Sequence, residues 1–246
     1  MSTLISWTDE TWNPTTGCSR ASDGCRFCYA ETLSLRFGWS KKPWTHNNAV
    51  ENVVLHPERL RKPSSWKTPK RVFVDSMADL FHEQVPDDYI SRVFEVMAAH
   101  PQHIFQVLTK RPERAATWPG PWPFNIWMGT SVEDRRVIGR IEHLRRCEAK
   151  TRFLSCEPLL GDLGLLDLSD IHWVIAGGES GQHITRHPKR VMDHAWARAL
   201  RDRCVAQGVA FFFKQSSGVR TETGTMLIEE DGTTSEWHQF PELIDE

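Results

Sequence analysis

The sequence predicts an α/β fold, a partial TIM-like (βα) barrel of about six to seven parallel strands. Three observations predict it. Short β-branched or aromatic runs alternate with helical stretches, the pattern of βα units around a parallel sheet. Each apolar run stops at a polar cluster: Asp75-Ser76, Thr109-Lys110-Arg111, Thr130-Ser131-Val132-Glu133, Ser155-Cys156-Glu157, Gly177-Gly178-Glu179-Ser180 and Lys214-Gln215. In a βα barrel every strand C-terminus opens onto one face, and that face carries the chemistry. Three of the six cysteines crowd into eleven residues after the first candidate strand, at the rim of the same face.

The elements follow in chain order. Leu4–Trp7, extendable to Trp12, is the first strand candidate. The cysteine loop comes next, then a helix from about Tyr29 to Phe37. Residues 38–70 hold three Trp and several Pro and predict a long loop or insertion. RVFVDSMADLF (71–81) begins with a strand. PDDYISRVFEVMAAH (86–100) is an amphipathic helix with Pro at its start. HIFQVLTKRP (103–112) and NIWMGTSVED (125–134) are strands, and 134–147 is a helix. TRFLSCEPLL (151–160) and WVIAGGESG (173–181) are strands, 193–207 a helix, and VAFFFKQSSG (209–218) the last strand. The barrel therefore occupies 1–220, with 221–246 as an acidic C-terminal tail.

Composition sets the class. A hydrophobic fraction of 39% with 25% charged residues is that of a globular chain. No apolar run approaches a membrane span. MSTLISWTDE has no basic region followed by an apolar stretch, so no signal peptide is expected and the cytoplasm is the expected location. There, clustered thiols more often bind metal than form disulfides. The net charge of −2 hides an asymmetry. Residues 221–246 hold eight of the 32 acids and none of the 30 Lys and Arg, leaving the body with an excess of six cations. A modestly basic body is compatible with nucleic acid and equally with an ordinary solvated surface.

Cys18, Cys25 and Cys28 are spaced C-x6-C-x2-C within TTGCSRASDGCRFCYAE. Three readings compete. The thiols could hold structural zinc with a fourth ligand such as His46 or His82, although such sites are usually built from two ligand pairs. They could be buried core cysteines, although Gly17, Gly24, Arg20, Asp23 and Arg26 interleave them. Or they could hold a [4Fe–4S] cluster. With three thiolates instead of four, one iron keeps an open position. That iron can chelate the amino and carboxylate groups of S-adenosylmethionine and reduce its sulfonium.

Other features have two readings each. Lys110, Lys214 and Glu157 are the candidate catalytic side chains. Lys110, Arg111 and Lys214 can meet an anionic substrate such as a phosphate, or can pair with Glu157 and Glu179. Residues 59–71 contain six basic side chains, Trp66 and no acid, which suits a nucleic-acid backbone with a stacked base or else an exposed loop. Cys147 and Cys204 lie in helical patterns and predict small buried apolar residues.

The motif CRFC resembles the C-x3-C-x-aromatic-C signature of the radical-SAM superfamily, with a first spacing of six residues in place of three. WNPTTGCSRASDGCRFCYAE, FVDSMADLFHEQVPD, FQVLTKRPERA, WMGTSVED, RFLSCEPLLG, WVIAGGESG and FFFKQSSG, in this order over residues 7 to about 218, resemble the phage-associated three-Cys-motif family of radical-SAM-like proteins. The resemblance implies a radical-SAM type barrel with a [4Fe–4S] cluster on Cys18, Cys25 and Cys28, S-adenosylmethionine as cosubstrate and a 5′-deoxyadenosyl radical. It implies Phe27 near the adenine, Asp75 and Ser76 at the methionine amine, and Ser131 and Glu133 at the ribose hydroxyls. Gly177, Gly178 and Glu179 resemble the superfamily's GGE stretch, displaced to a later strand; the glycines allow close approach to a ligand. Cys156 departs from the family pattern, so no obligatory hydrogen-atom donor is assigned there. The resemblance further implies an external electron donor, a separately encoded partner protein, and a nucleic-acid or nucleotide substrate for modification or repair. The rival from another class is a zinc-stabilised nucleic-acid-binding module without catalysis.

Overall fold

The computed structural model describes residues 3–181, 187 and 189–242. Seven parallel strands form one sheet that curves into a half-barrel, in sequence order from edge to edge. They are β1 (Glu10–Trp12), β4 (Arg71–Val74), β5 (Ile104–Thr109), β6 (Ile126–Ser131), β7 (Thr151–Cys156), β8 (Trp173–Gly177) and β9 (Ala210–Gln215). Two short strands, β2 (Thr15–Thr16) and β3 (Val54–Leu55), pair antiparallel beside the cysteine loop. The helices are α1 (Tyr29–Arg36), α2 (Ala49–Asn52), α3 (Asp87–Ala98), α4 (Pro112–Ala116), α5 (Arg140–Arg145) and α6 (His194–Ala206). The predicted class holds.

Strand periodicity sorts the side chains into two layers. Val72, Val74, Phe105, Val107, Met128, Leu154, Cys156, Val174, Phe211 and Phe213 face outward and join one core with the helices. On α3, Ile90, Val93, Phe94 and Met97 make the apolar stripe that meets them, each fully buried. Burial of such side chains contributes about 2 kcal/mol each. The alternate positions Phe73, Trp127, Phe153, Trp173, Ile175 and Phe212 form a second cluster on the concave face. The registers agree: Gln106 opposes Trp127, Ser131 opposes Ser155, and Ser155 opposes Ile175.

Two elements differ from their predictions. The first strand is Glu10–Trp12, not Leu4–Trp7. Leu4 is exposed, while Trp7 turns into the concave cluster and packs against Phe73 and Trp173, so its ring fills the barrel floor without strand pairing. The helix expected over 134–147 splits. Asp134 caps a 3-10 turn at Arg135–Val137 by accepting from the Arg136 N–H, and α5 starts only after Gly139. Residues 38–70 hold only short elements between loops, and they pack back on the barrel. β3 pairs with β2, Trp44 is buried, and Val53, Leu55, Leu60 and Trp66 pack on the outer core.

The acidic stretch after Arg220 is likewise packed over its described part; 243–246 lie outside the described residues. Its backbone continues the sheet at β9: the Phe213 N–H donates to the Trp237 carbonyl and the Gln239 N–H to that of Phe211. Phe240 then crosses the barrel floor, with its ring 5.2 Å from Trp173 and the Arg71 guanidinium 4.1 Å from its centroid. Trp7 and Phe240 thus close the bottom of the half-barrel and leave the strand C-termini as its open face.

Candidate active site

Concave-face alternation continues past the strand ends, and it collects the polar residues. Asp75 follows Phe73, Lys110 follows Leu108, Glu133 follows Ser131, Glu157 follows Ser155, and Glu179 follows Gly177. At β9 the register shifts by one residue beside Ala176 and Gly177, and Lys214 turns toward Glu157.

At one end of this face lies a cleft of about 120 Å³ lined by Cys18, Cys25 and Cys28. The ends of β4, β5 and β6 supply Asp75, Ser76, Asp79, Thr109, Lys110, Arg111 and Ser131, and α1 and the following arm supply Tyr29, Ala30 and Trp44. All three cysteines are free thiols and half-buried. Burial, then the Asp79 carboxylate, pushes the Cys18 thiol up, with Arg111 opposing. Burial also pushes the Cys28 thiol up. Among the described residues no three His, Cys, Asp or Glu side chains converge on a point that could hold a single metal ion.

The cysteine loop is pinned from several sides. The Gly17 N–H donates to the Met77 carbonyl after β4. The Ser22 hydroxyl donates to Glu133 at 2.8 Å. Asp23 pairs with Arg136 at 3.1 Å and Arg190 at 3.5 Å. A Cβ on Gly24 would sit 2.5 Å from the Glu133 carboxylate, so only glycine lets the loop come this close. Glu133 is 1% exposed and is shared by Ser22, Lys110 at 2.8 Å and Arg140 at 2.9 Å. Burial works against its charge, but Lys110 and Arg140 outweigh it and hold the carboxyl below the usual range.

Arg111 is the second hub. A guanidinium has five N–H donors, and here all five are used. Nε donates to Glu83, Nη1 to Asp79 and to the Cys18 sulfur, and Nη2 to the Ser19 carbonyl and hydroxyl. Asp79 in turn accepts from the Thr109 hydroxyl and the Lys110 N–H.

The remaining predicted residues fall as follows. Asp75 stands in left-handed backbone at φ 59 and accepts from the N–H and hydroxyl of Thr15; burial pushes its carboxyl up to about 7 despite these donors. The Ser76 hydroxyl donates to Asn13 and its carbonyl accepts from the Tyr29 hydroxyl. Lys214 lies 3.2 Å from Glu157 and 3.8 Å from Glu222. Glu179 pairs with Arg190. The missing Cβ atoms of Gly177 and Gly178 make room for Glu157 and Ser217 respectively. Phe27 stacks on His187 at 4.9 Å, with Arg190 over its ring, and does not line the cysteine cleft. Of the pairings expected, Lys214 meets Glu157; Lys110 pairs instead with Glu133, Glu179 with Arg190, and Arg111 with Asp79 and Glu83.

Sequence reasoning missed Asp79, Ser19, Tyr29 and Trp44. Asp79 had a signal, an acid four residues past an aspartate at a strand end. Tyr29 and Trp44 were legible only as helix and loop residues. Cys156 points outward into the helix-side core, as do Cys147 and Cys204, so it does not face the cleft.

Comparison with known proteins adds three findings. A family model described as "Protein of unknown function (DUF5131)" matches residues 2–241. No curated protein matches the chain. Among solved structures, the chain is similar to spore photoproduct lyase complexed with dinucleoside spore photoproduct, at 13% identity and a TM-score of 0.44 over 77% of this chain and 58% of that one. A Cys-to-Ser mutant of spore photoproduct lyase matches at 13% identity and a TM-score of 0.47 over 82% and 62% respectively. This chain therefore spans less than two thirds of the length of the structures it matches.

Proposed function

The chain belongs to the family described as a protein of unknown function (DUF5131), matched over residues 2–241, and from its cysteine cleft we propose that it is a radical S-adenosylmethionine enzyme. In this reading Cys18, Cys25 and Cys28 hold a [4Fe–4S] cluster, and the substrate is nucleic acid or a nucleotide, for modification or repair. One observation carries the reading: among the described residues three thiols, and no fourth, line one cleft at the C-terminal face of a parallel half-barrel. A cubane with one open iron takes one thiolate at each of the other three, which matches the three thiols here. When bound, such a cluster reduces the cosubstrate sulfonium, with an electron from an external donor, and releases a 5′-deoxyadenosyl radical.

The chain's own side chains do the rest. Arg111 keeps a cation and a donor on the Cys18 sulfur, which favours the thiolate. In this reading Asp75 and Ser76 would meet the methionine amine and Ser131 and Glu133 the ribose hydroxyls; Asp75, Ser76 and Ser131 line the cleft. Lys110 holds its ammonium at the cleft against Glu133, a fixed cation for an anionic group. Lys214 and Glu157 belong to the other half of the face, where a substrate approaches the radical. The inner cluster of Trp7, Phe73, Trp173 and Phe240 closes the floor and keeps water from that direction.

The test is metal and sulfide content of protein purified without oxygen. About four iron and four sulfide per chain are expected, lost in Cys18→Ala, Cys25→Ala and Cys28→Ala and kept in Cys147→Ala and Cys204→Ala. The paramagnetic resonance spectrum of the reduced protein should change when S-adenosylmethionine is added. Stoichiometric zinc without sulfide would establish the zinc-stabilised binding module instead.

A further inference from the structure

Beside the cleft the surface carries two exposed aromatic rings in mutual contact. Phe37 and Trp39 are 60% and 59% exposed. Their centroids lie 5.2 Å apart and their planes 30° from parallel. Large exposed apolar groups that adjoin one another mark a binding surface more often than a single one does. The backbone beneath them is held. The Phe37 N–H donates to the Leu33 carbonyl at the end of α1, and the Trp39 and Ser40 N–H groups both return to the Ser34 carbonyl. Gly38 makes the turn at φ +70, and nothing lies within 4 Å of where its Cβ would be. Glycine therefore serves the left-handed conformation here, and that conformation brings the rings of residues 37 and 39 to one side. The Ser40 hydroxyl then accepts from the indole of buried Trp44, which lines the cysteine cleft.

The chain between Glu31 and Glu51 is basic. Residues 32–50 contain Arg36, Lys41 and Lys42 and no acid. Lys42 reaches forward to Glu51. Lys41 is exposed and makes no ion pair among the described residues.

We propose that Phe37 and Trp39, with Lys41, form a stacking platform for the bases of single-stranded nucleic acid next to the cleft. This deepens the nucleic-acid part of the proposed function and rests on it. Bases offer flat faces that extend a ring stack whatever their identity, and a lysine beside them neutralises a phosphate. A duplex hides those faces. The run Arg59–Arg71 is a poorer platform: Trp66 is packed on the core, Arg59 donates to the Asn13 carbonyl and Lys62 to that of Thr11. The geometry also joins platform to cleft. Ala30, in the first turn of α1, lines the cleft, and Phe37 follows the last residue of that helix seven positions on, roughly 10 Å at the helical rise. That is about three steps of a strand at ~3.4 Å each. A strand stacked on the platform presents a neighbouring nucleotide to the cysteine cleft.

The test uses the full chain, metal-free, and a labelled oligothymidylate. Wild type is expected to bind at low salt. Trp39→Ala and Phe37→Ala should each weaken binding by about 5- to 150-fold, the range of one base stack. Trp39→Phe should stay within about threefold, and Lys41→Gln should lower the salt slope by about 0.7. Both rings are exposed, so melting temperatures should match wild type. Wild type that binds no single strand, or unchanged binding in both alanine variants, would overturn the platform. So would a wild-type dimer in sedimentation that Trp39→Ala abolishes, because a second copy would then be the occupant. Iron and sulfide content measured separately judges the cluster: a cluster without strand binding sinks the platform alone, and strand binding without a cluster sinks the radical reading alone.

Discussion

The Nη1 of Arg111 stands 3.6 Å from the sulfur of Cys18 while the same guanidinium grips Asp79 at 3.0 Å. A residue on β5's end thus fastens the first cysteine to the sheet. Both members of the pair are largely buried. Removing one partner of such a pair leaves an uncompensated charge, at about 3 kcal/mol or more. Arg111→Gln should lose about that much in urea unfolding and should also take up less iron. Arg111→Lys keeps the charge but has three donors instead of five, and should recover only part. Wild-type stability in Arg111→Gln would rule out this fastening.

His82 gives the loop a pH dependence. Its Nδ1 accepts from the Gln84 N–H, so Nε2 carries the proton that bonds Ser19, the neighbour of Cys18. Burial, then Arg111, pushes the imidazole from 6.5 down to about 4. The folded value lies below the unfolded one, so between about pH 6.5 and pH 4 the unfolded chain takes up a proton that the folded chain refuses. Stability from neutral His82 is therefore complete above that window and is lost as pH falls through it. The loss from pH 7 to pH 5 should be about 2 kcal/mol. His82→Gln should show a smaller loss than wild type in paired urea titrations; an equal loss would assign the effect elsewhere.

Glu133 joins the cysteine loop to β5 and α5, so its neutral variant should loosen the loop. Glu133→Gln strands Lys110 and Arg140 and should cost about 3 kcal/mol. Gly24→Ala tests the same contact from the loop's side, because the new methyl would meet the Glu133 carboxylate. Limited proteolysis should cut the segment 18–28 faster in both variants than in wild type. Unchanged cleavage in both would show that the loop is held without this hub.

The C-terminal segment should prove necessary for folding. A chain ending at Arg220 loses Phe240 from the barrel floor, the Trp237 and Gln239 bonds to β9, and buried Leu227. It exposes Trp173 and Phe212 and should aggregate. Phe240→Ala, a milder change at a half-buried ring, should lower stability by about 1–2 kcal/mol in thermal or urea unfolding. A truncated chain that stays monomeric with an unchanged melting temperature would refute the plug.

Cys156 separates the two layers of the sheet by experiment. It is fully buried on the helix side, so Cys156→Ala should cost about 1–2 kcal/mol of stability and leave iron content unchanged. Loss of iron in that variant would place the residue at the cleft after all.

About six to seven parallel strands are legible because parallel strands in a βα fold recur as short apolar runs separated by helices. Their polar ends were legible for the same reason: Asp75, Lys110, Ser131, Glu133, Glu157 and Glu179 sit two residues apart from inward-facing neighbours, and a period of two is a local property of the chain. The cysteine spacing is local as well. Trp7 reads as a strand residue because an aromatic that plugs a barrel floor carries the same local signal as one in a strand. The stretch after Arg220 reads as a tail in sequence because acidic composition says nothing about where Trp237 and Phe240 land.

The sequence by itself therefore determined the class, the concave face and the three cysteines at its rim, all consequences of near-neighbour spacing. Only the tertiary structure decided which charges at that face are already taken. Lys110 meets Glu133 because β5 lies beside β6, Lys214 meets Glu157 across the mouth of the half-barrel, and Arg111 reaches 93 residues back to Cys18. Such pairings depend on which strands adjoin and how deeply each group is buried. No window of sequence holds both partners, and the cost of leaving a buried charge unpaired is what selects them.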